Sequence, residues 1–102
     1  FNEKIALVNA WLEIAAEEYA IGIVDGNVEN KFEYQDALGF TTVAKNILEE
    51  ANSLNALQVS KRNKALEIIE DLSSLWPSLV PTGKIKGDAK KILAAINKIN
   101  AI

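Results

Sequence analysis

Four stretches of the chain repeat apolar residues at intervals of three and four, the spacing that gathers side chains on one face of an α-helix. In the first, 2–24, Ile5, Val8, Leu12, Ala15, Ala16, Tyr19 and Ile23 make one broad stripe, and Leu7, Trp11, Ile14 and Ile21 make a second well round the helix. Two apolar faces predict a helix that touches more than one neighbour. Asp25-Gly26-Asn27 follows with residues that tolerate left-handed backbone, so the helix stops and the chain reverses there. The second stretch, 30–52, carries Phe32, Ala37, Phe40, Val43, Ala44, Ile47, Leu48 and Ala51. Asn30 is placed as its N-cap, with Glu33 three residues on as the other half of a capping box. Gly39 interrupts this helix at a cost of about 1 kcal/mol relative to Ala, and its missing side chain lets another helix come close.

The third stretch, 55–76, is capped by Ser53 or Asn55 and turns Ala65, Ile68, Ile69, Leu72, Leu75 and Trp76 to one side. Pro77 ends it, because proline lacks the next N–H and disfavours helix in the residue before it. A long connection with Pro81 follows, whose apolar pair Leu79 and Val80 is expected to pack over the end of the molecule. Asp88 caps the fourth stretch, 88–100, with Ala89, Ile92, Leu93, Ile96 and Ile99 inward. Together these predict an all-α, up-down-up-down four-helix bundle in one domain spanning 1–102. No run alternates apolar and polar residues as a strand would, and no internal repeat is evident.

Composition narrows the chemistry. A chain of 102 residues, 49% apolar and 25% charged, builds one core. The net charge is −3 and no basic residues cluster, which argues against nucleic acid as a partner. Lys84, Lys86, Lys90, Lys91 and Lys98 read as a solvated helix face. There is no Cys, His or Met, which excludes disulfides, thiolate or imidazole metal sites, Cys or His nucleophiles and haem ligation, and leaves only oxygen chemistry. A start without Met reads as a processed chain or a segment of a longer one, any secretory signal having been removed. No stretch of about 20 apolar residues is present.

On a helical wheel at about 100° per residue with Phe32 at zero, Glu33 falls near 100° and Asp36 near 40°, among Phe40, Val43, Ala44 and Ile47. Both acids are therefore expected to point toward the core, and Tyr34, near 200°, to point elsewhere. In the first helix Glu18 lies between Trp11 and Ile14 in the second stripe, while Tyr19 lies in the main one. An antiparallel hairpin turning near Gly26 brings Glu18 and Tyr19 level with Asp36, at the end that also holds Asp71, Trp76 and Asp88; Lys61 and Arg62 belong to the opposite end. Buried carboxylates need a cation, a donor or a proton. A hard cation such as Fe(III), Mn, Mg or Ca suits carboxylate and phenolate oxygens, and tyrosine favours ferric iron. The alternative is that Glu33 and Asp36 serve the helix N-terminus as caps or face water, in a structural or protein-interaction bundle without metal. An enzyme is not expected: a dimetal centre of the ferritin type needs Glu-x-x-His pairs, and no substrate-holding basic residue accompanies the acids. No organic cofactor is implied, and the oligomeric state is left open.

The segment from Tyr19 to Asp36, Tyr19-Ala20-Ile21-Gly22-Ile23-Val24-Asp25-Gly26-Asn27-Val28-Glu29-Asn30-Lys31-Phe32-Glu33-Tyr34-Gln35-Asp36, resembles the extracytoplasmic domain that precedes the membrane helices of some bacterial high-affinity iron permeases. In that family a Tyr is followed by a Gly-x-Val turn, an Asn, and then Glu-Tyr-x-acid. The match covers about a fifth of the chain; the permease's Arg-Glu-x-x-Glu motifs are absent, so transport is not carried by this chain alone. The resemblance implies an exported, periplasmic or cell-surface domain concerned with iron or another divalent or trivalent metal, and a membrane permease partner, with Tyr19, Glu33, Tyr34 and Asp36 as matching positions. The wheel adds Glu18. The expected metal site is thus Glu18, Tyr19, Glu33 and Asp36.

Overall fold

The computed structural model describes residues 1–78, 84–85 and 87–102, so the expected packing of Leu79 and Val80, the turn at Pro81 and the place of Lys86 lie outside the described residues. It is a four-helix bundle of 45 × 21 × 19 Å. Helix α1 spans Asn2–Gly22, α2 Lys31–Glu49, α3 Ala56–Glu70 and α4 Lys90–Asn100. α1 packs along α2 over most of its length; α4 lies against α1, and α3 lies against α2 and α4.

Each boundary has a local cause. α1 ends two residues short of its expected limit because Ile23–Val24 (β1) pairs antiparallel with Asn27–Val28 (β2), Ile23 opposite Val28. Strands were not expected here. They form because Asp25 (φ 52°) and Gly26 (φ 79°) both adopt left-handed backbone, the Asp-Gly geometry whose twist suits a two-residue hairpin. Ile85 N–H donates to the Gly26 carbonyl at 2.8 Å, tying the last connection to this turn. Asn30 caps α2 through its side-chain oxygen, which accepts from Phe32 N (3.1 Å) and Glu33 N (3.2 Å). The full reciprocal box forms instead at α3, between Asn55 and Gln58. Past Glu70 the third helix tightens into a 3-10 turn, Asp71–Leu75, before Pro77. α4 starts at Lys90, two residues later than expected, with Ala89 and not Asp88 as its N-cap; Asp88, one residue further out, still accepts from Lys90 N at 2.7 Å.

The core holds the main stripe of α1 (Val8, Leu12, Ala15, Ala16, Tyr19), with Ala65, Ile69, Leu72, Leu75 and Trp76 from the third helical segment and Ile92, Ala95, Ile96 and Ile99 from α4. Asn9, buried beside this stripe, donates to Asn100 Oδ1 at 2.8 Å and ties α1 to the end of α4. The second stripe of α1 behaves differently from expectation. Leu7, Ile14 and Ile21 remain exposed, and only Trp11 finds a partner, stacking on Phe40 at 5.6 Å. Leu93 of α4, expected inward, is also exposed; the smaller Ala95 takes the inward position. On α2 the buried residues are Tyr34, Ala37, Thr41, Ala44 and Leu48, a 3-4-3-4 spacing that presents small side chains to α1 and permits close approach.

Candidate metal centre

The Trp11–Phe40 stack sets the register between α1 and α2. Two turns nearer the hairpin, at the same flank of both helices, Glu18 of α1 meets Glu33 and Asp36 of α2. One carboxylate oxygen from each lies within 4.8 Å of the other two. Glu18 and Glu33 are half-buried and Asp36 is exposed. Among the described residues no hydrogen bond or ion pair engages any of the three; the one ion pair, Lys45–Glu49 at 3.6 Å, lies elsewhere on α2. Two such charges about 5 Å apart repel by roughly 1 kcal/mol in bulk water, and by more where solvent is partly excluded. The cluster is therefore a concentration of negative charge that folding alone leaves uncompensated.

The acids do not point into the core as the wheel suggested. The buried side of α2 is centred near 160° on that wheel, about 60° from Glu33 and about 120° from Asp36. The error came from anchoring on Phe32, which is 65% exposed. Tyr34 is corrected by the same rotation: it is fully buried, its hydroxyl donates to the Ser78 carbonyl at 2.7 Å, and its own carbonyl accepts from Trp76 Nε1 at 2.9 Å. The acids meet in the groove between α1 and α2 and not inside the bundle, which leaves one side of the cluster open to water.

Tyr19 also departs from its expected place beside the acids. Its side chain sits in the core, its hydroxyl donates to the Leu75 carbonyl at 2.9 Å, and its ring packs edge-on against Trp76 at 5.4 Å and against Tyr34 at 6.0 Å. Burial, then the neighbouring Tyr34 and Asp88, push its pKa from 10.0 to about 12, and burial raises that of Tyr34 as well. A phenolate ligand is the form this environment disfavours most. Raised pKa values mean that the neutral phenols stabilise the fold below pH 10 and that this contribution is lost as pH climbs from there through about 12. Alkaline titration followed by tyrosinate absorbance is expected to show little ionisation of either tyrosine until the protein unfolds; free titration near pH 10 in the folded protein would contradict the burial of both rings.

A separate open cleft of about 410 Å³ lies between α2 and the end of α3, lined by residues including Thr41, Lys45, Ile69, Glu70 and Trp76, and none of the three acids borders it.

Residues 1–102, the whole chain, match the model of the iron permease-associated 4-helix bundle domain. The chain belongs to that family. No curated protein and no solved structure matches it. Membership links this iron permease-associated domain to iron uptake and to a membrane context, although no helix among its described residues is long and apolar enough to cross a membrane. Within the domain, the Tyr19–Asp36 segment supplies two different things. Glu33 and Asp36, with Glu18, form the polar cluster; Tyr19 and Tyr34 form a buried aromatic pair that holds the hairpin against Trp76. The role of Tyr34 was missed from the sequence, and the signal that finds it is the 34-37-41-44-48 spacing, which competes with the larger Phe32–Phe40 set.

Proposed function

We propose that this domain captures or senses a hard cation, iron foremost, on the extracytoplasmic side of a membrane iron-uptake system, and holds it between Glu18, Glu33 and Asp36. The observation that carries this reading is the convergence of three carboxylates within 4.8 Å, none of which makes an ion pair among the described residues. The donor set fits: three carboxylates offer only hard oxygen atoms, suited to iron, manganese, magnesium or calcium, and the open side of the groove leaves room for water to complete the coordination. The family's tie to an iron permease supports iron among these, and a membrane permease as the partner. The role is binding and delivery without catalysis, and no organic cofactor enters it. The capping alternative is weaker, because Asn30 already serves the first N–H groups of α2 and Glu33 makes no return bond to it.

Calorimetric titration with Fe(II) under argon, and separately with Mn(II) and Ca(II), tests the reading. Saturable binding is expected for the native chain. Glu33→Ala combined with Asp36→Ala should weaken it by roughly 100-fold or more, since one monodentate carboxylate holds such ions poorly. Native and doubly substituted chains that bind alike, or a native chain that shows no saturation, would remove the metal site.

A further inference from the structure

We propose that the domain lies on an anionic lipid surface through the basic side formed by α3 and α4, with the acidic α1–α2 half turned away from it. Charge is divided between the two halves of the chain. Residues 1–55, which hold α1 and α2, carry ten acidic and three basic side chains; residues 56–102, which hold α3 and α4, carry four acidic and eight basic ones. The net charge of −3 thus hides one half at −7 and another at +4. α3 and α4 pack against each other, and their outer sides form one face across the bundle from the groove that holds Glu18, Glu33 and Asp36.

The lysines of that face lie far apart in sequence and meet only through the fold. An open groove of about 220 Å³ runs between the third helical segment and α4, with Ile68, Leu72 and Ala95 as its floor and Lys91, Lys98 and Asp71 at its edge. Lys64, Lys61 and Leu57 extend the same side of α3, four, seven and eleven residues before Ile68. Lys61 also borders a smaller cavity with Ile99 and Asn100 of α4. None of the four lysines is in an ion pair among the described residues. The acids on this side are Asp71 and, further round α3, Glu67. The other charged residues of this half face elsewhere: Glu70 lines the cleft with α2, Arg62 donates to the Ala51 carbonyl, Asp88 and Lys90 border Ala20 and Val24 together, and Lys84 lies by Gly26. Four lysines against two acids leave the face basic.

Their spread fits a surface better than a single small anion. Lys91 and Lys98 stand about 10 Å apart along α4, too far to close on one phosphate but suited to an array of headgroups. Leu57, 65% exposed, adds an apolar side chain to the same side, next to Lys61 and Lys64. A leucine among lysines whose stems can lie flat is the composition that rests at the headgroup boundary. The negative half lies across a bundle 21 × 19 Å in section, more than twice the Debye length of about 8 Å at physiological salt, so it does not cancel the attraction. The family's membrane context supports a lipid surface over a soluble polyanion.

Flotation with vesicles of pure phosphatidylcholine, and of phosphatidylcholine and phosphatidylglycerol in equal parts, tests the proposal. Chelator is present throughout, so bound metal plays no part. Binding is expected to the anionic vesicles alone and should fall steeply with added salt. A lysine near such a surface strengthens binding roughly fivefold. Lys64→Ala, Lys91→Ala and Lys98→Ala together should therefore weaken it about 100-fold and leave the circular dichroism spectrum unchanged, because all three side chains are exposed. Glu67→Lys should strengthen binding several-fold, a gain that no merely structural role predicts. Leu57→Ser should weaken it. Lys4→Ala with Lys31→Ala, in the α1–α2 half, should change nothing. Absence of binding, equal binding to neutral and anionic vesicles, or a loss shared by the Lys4 and Lys31 pair overturns the proposal. So does displacement by inorganic phosphate at matched ionic strength, which would assign the lysines to a small-anion site, and so does retention on immobilised heparin without vesicle binding, which would assign them to a soluble polyanion. The calorimetric metal titration uses no vesicles, so the two readings fail independently.

Discussion

Tyr19→Ala is expected to destabilise the domain by about 3–5 kcal/mol, the range for truncating a buried aromatic, and Tyr19→Phe by about 1–2 kcal/mol, the cost of leaving one buried acceptor unpaired. Tyr19 is fully buried and joins three parts of the chain: its own helix, the Tyr34 ring of α2, and the Leu75–Trp76 end of the third helical segment. Trp76 completes the arrangement by donating to the Tyr34 carbonyl, and Tyr34 by donating to Ser78. Removing the Tyr19 ring empties the centre of this arrangement. Removing only the hydroxyl leaves the ring contacts and orphans the Leu75 carbonyl. Small domains are stable by about 5–15 kcal/mol in all, so the alanine variant should move the urea midpoint far toward zero while the phenylalanine variant moves it modestly. The same pair of proteins separates structure from ligation. Tyr19→Phe should bind metal as the native chain does, whereas a coordinating phenolate would show the opposite pattern, with affinity lost and stability little changed.

The bundle was legible because its largest signals are periodic. Val8, Leu12, Ala15, Ala16 and Tyr19 on α1, and Ala65, Ile69 and Leu72 in the third helical segment, repeat the helical period, and the second apolar stripe of α1, Leu7, Ile14 and Ile21, follows the same period and so reinforces the helix without deciding which face is buried. α2 is where reading failed, and the reason is physical. Apart from Leu48, its inward residues are small or carry hydroxyls (Ala37, Thr41, Ala44, Tyr34), while Phe32 and Phe40 lie outside or at the groove. A wheel weighted by hydrophobicity therefore turns by roughly a quarter of a revolution toward the phenylalanines. That rotation placed the acids in the core and Tyr34 outside. The meeting of Glu18 with Glu33 and Asp36 was nonetheless readable, since it depends on distance from the turn at Gly26 and on which flanks face each other, not on which face is buried. The hairpin strands were not readable from alternation, because two residues on each side are too few to show a period; Asp25-Gly26 was the available cue.

Gly22→Ala is expected to do more damage than any other single methyl group added to the hairpin. A Cβ at Gly22 would lie 2.7 Å from the backbone nitrogen of Tyr34 and 3.0 Å from the Asn30 carbonyl oxygen. Neither atom belongs to a flexible side chain, so relief requires the start of α2 to move away from the end of α1. Gly22 also accepts from Glu29 N (2.9 Å) and Asn30 N (3.2 Å), contacts that the same movement would stretch. Overpacking against backbone costs about 1–3 kcal/mol and occasionally more, and the upper end is expected here. The displacement bears on the candidate metal centre directly, because Glu33 rides on the first turn of α2 and Glu18 on the last turns of α1. Gly22→Ala should therefore lower the urea midpoint and weaken metal binding together. Gly39→Ala is the matched comparison: its Cβ meets nothing within 4 Å among the described residues, so the better helix former should raise stability by up to about 1 kcal/mol and leave metal affinity unchanged. Equal effects of the two substitutions would mean that the ends of α1 and α2 are not in the close contact that brings Glu18 to Glu33 and Asp36.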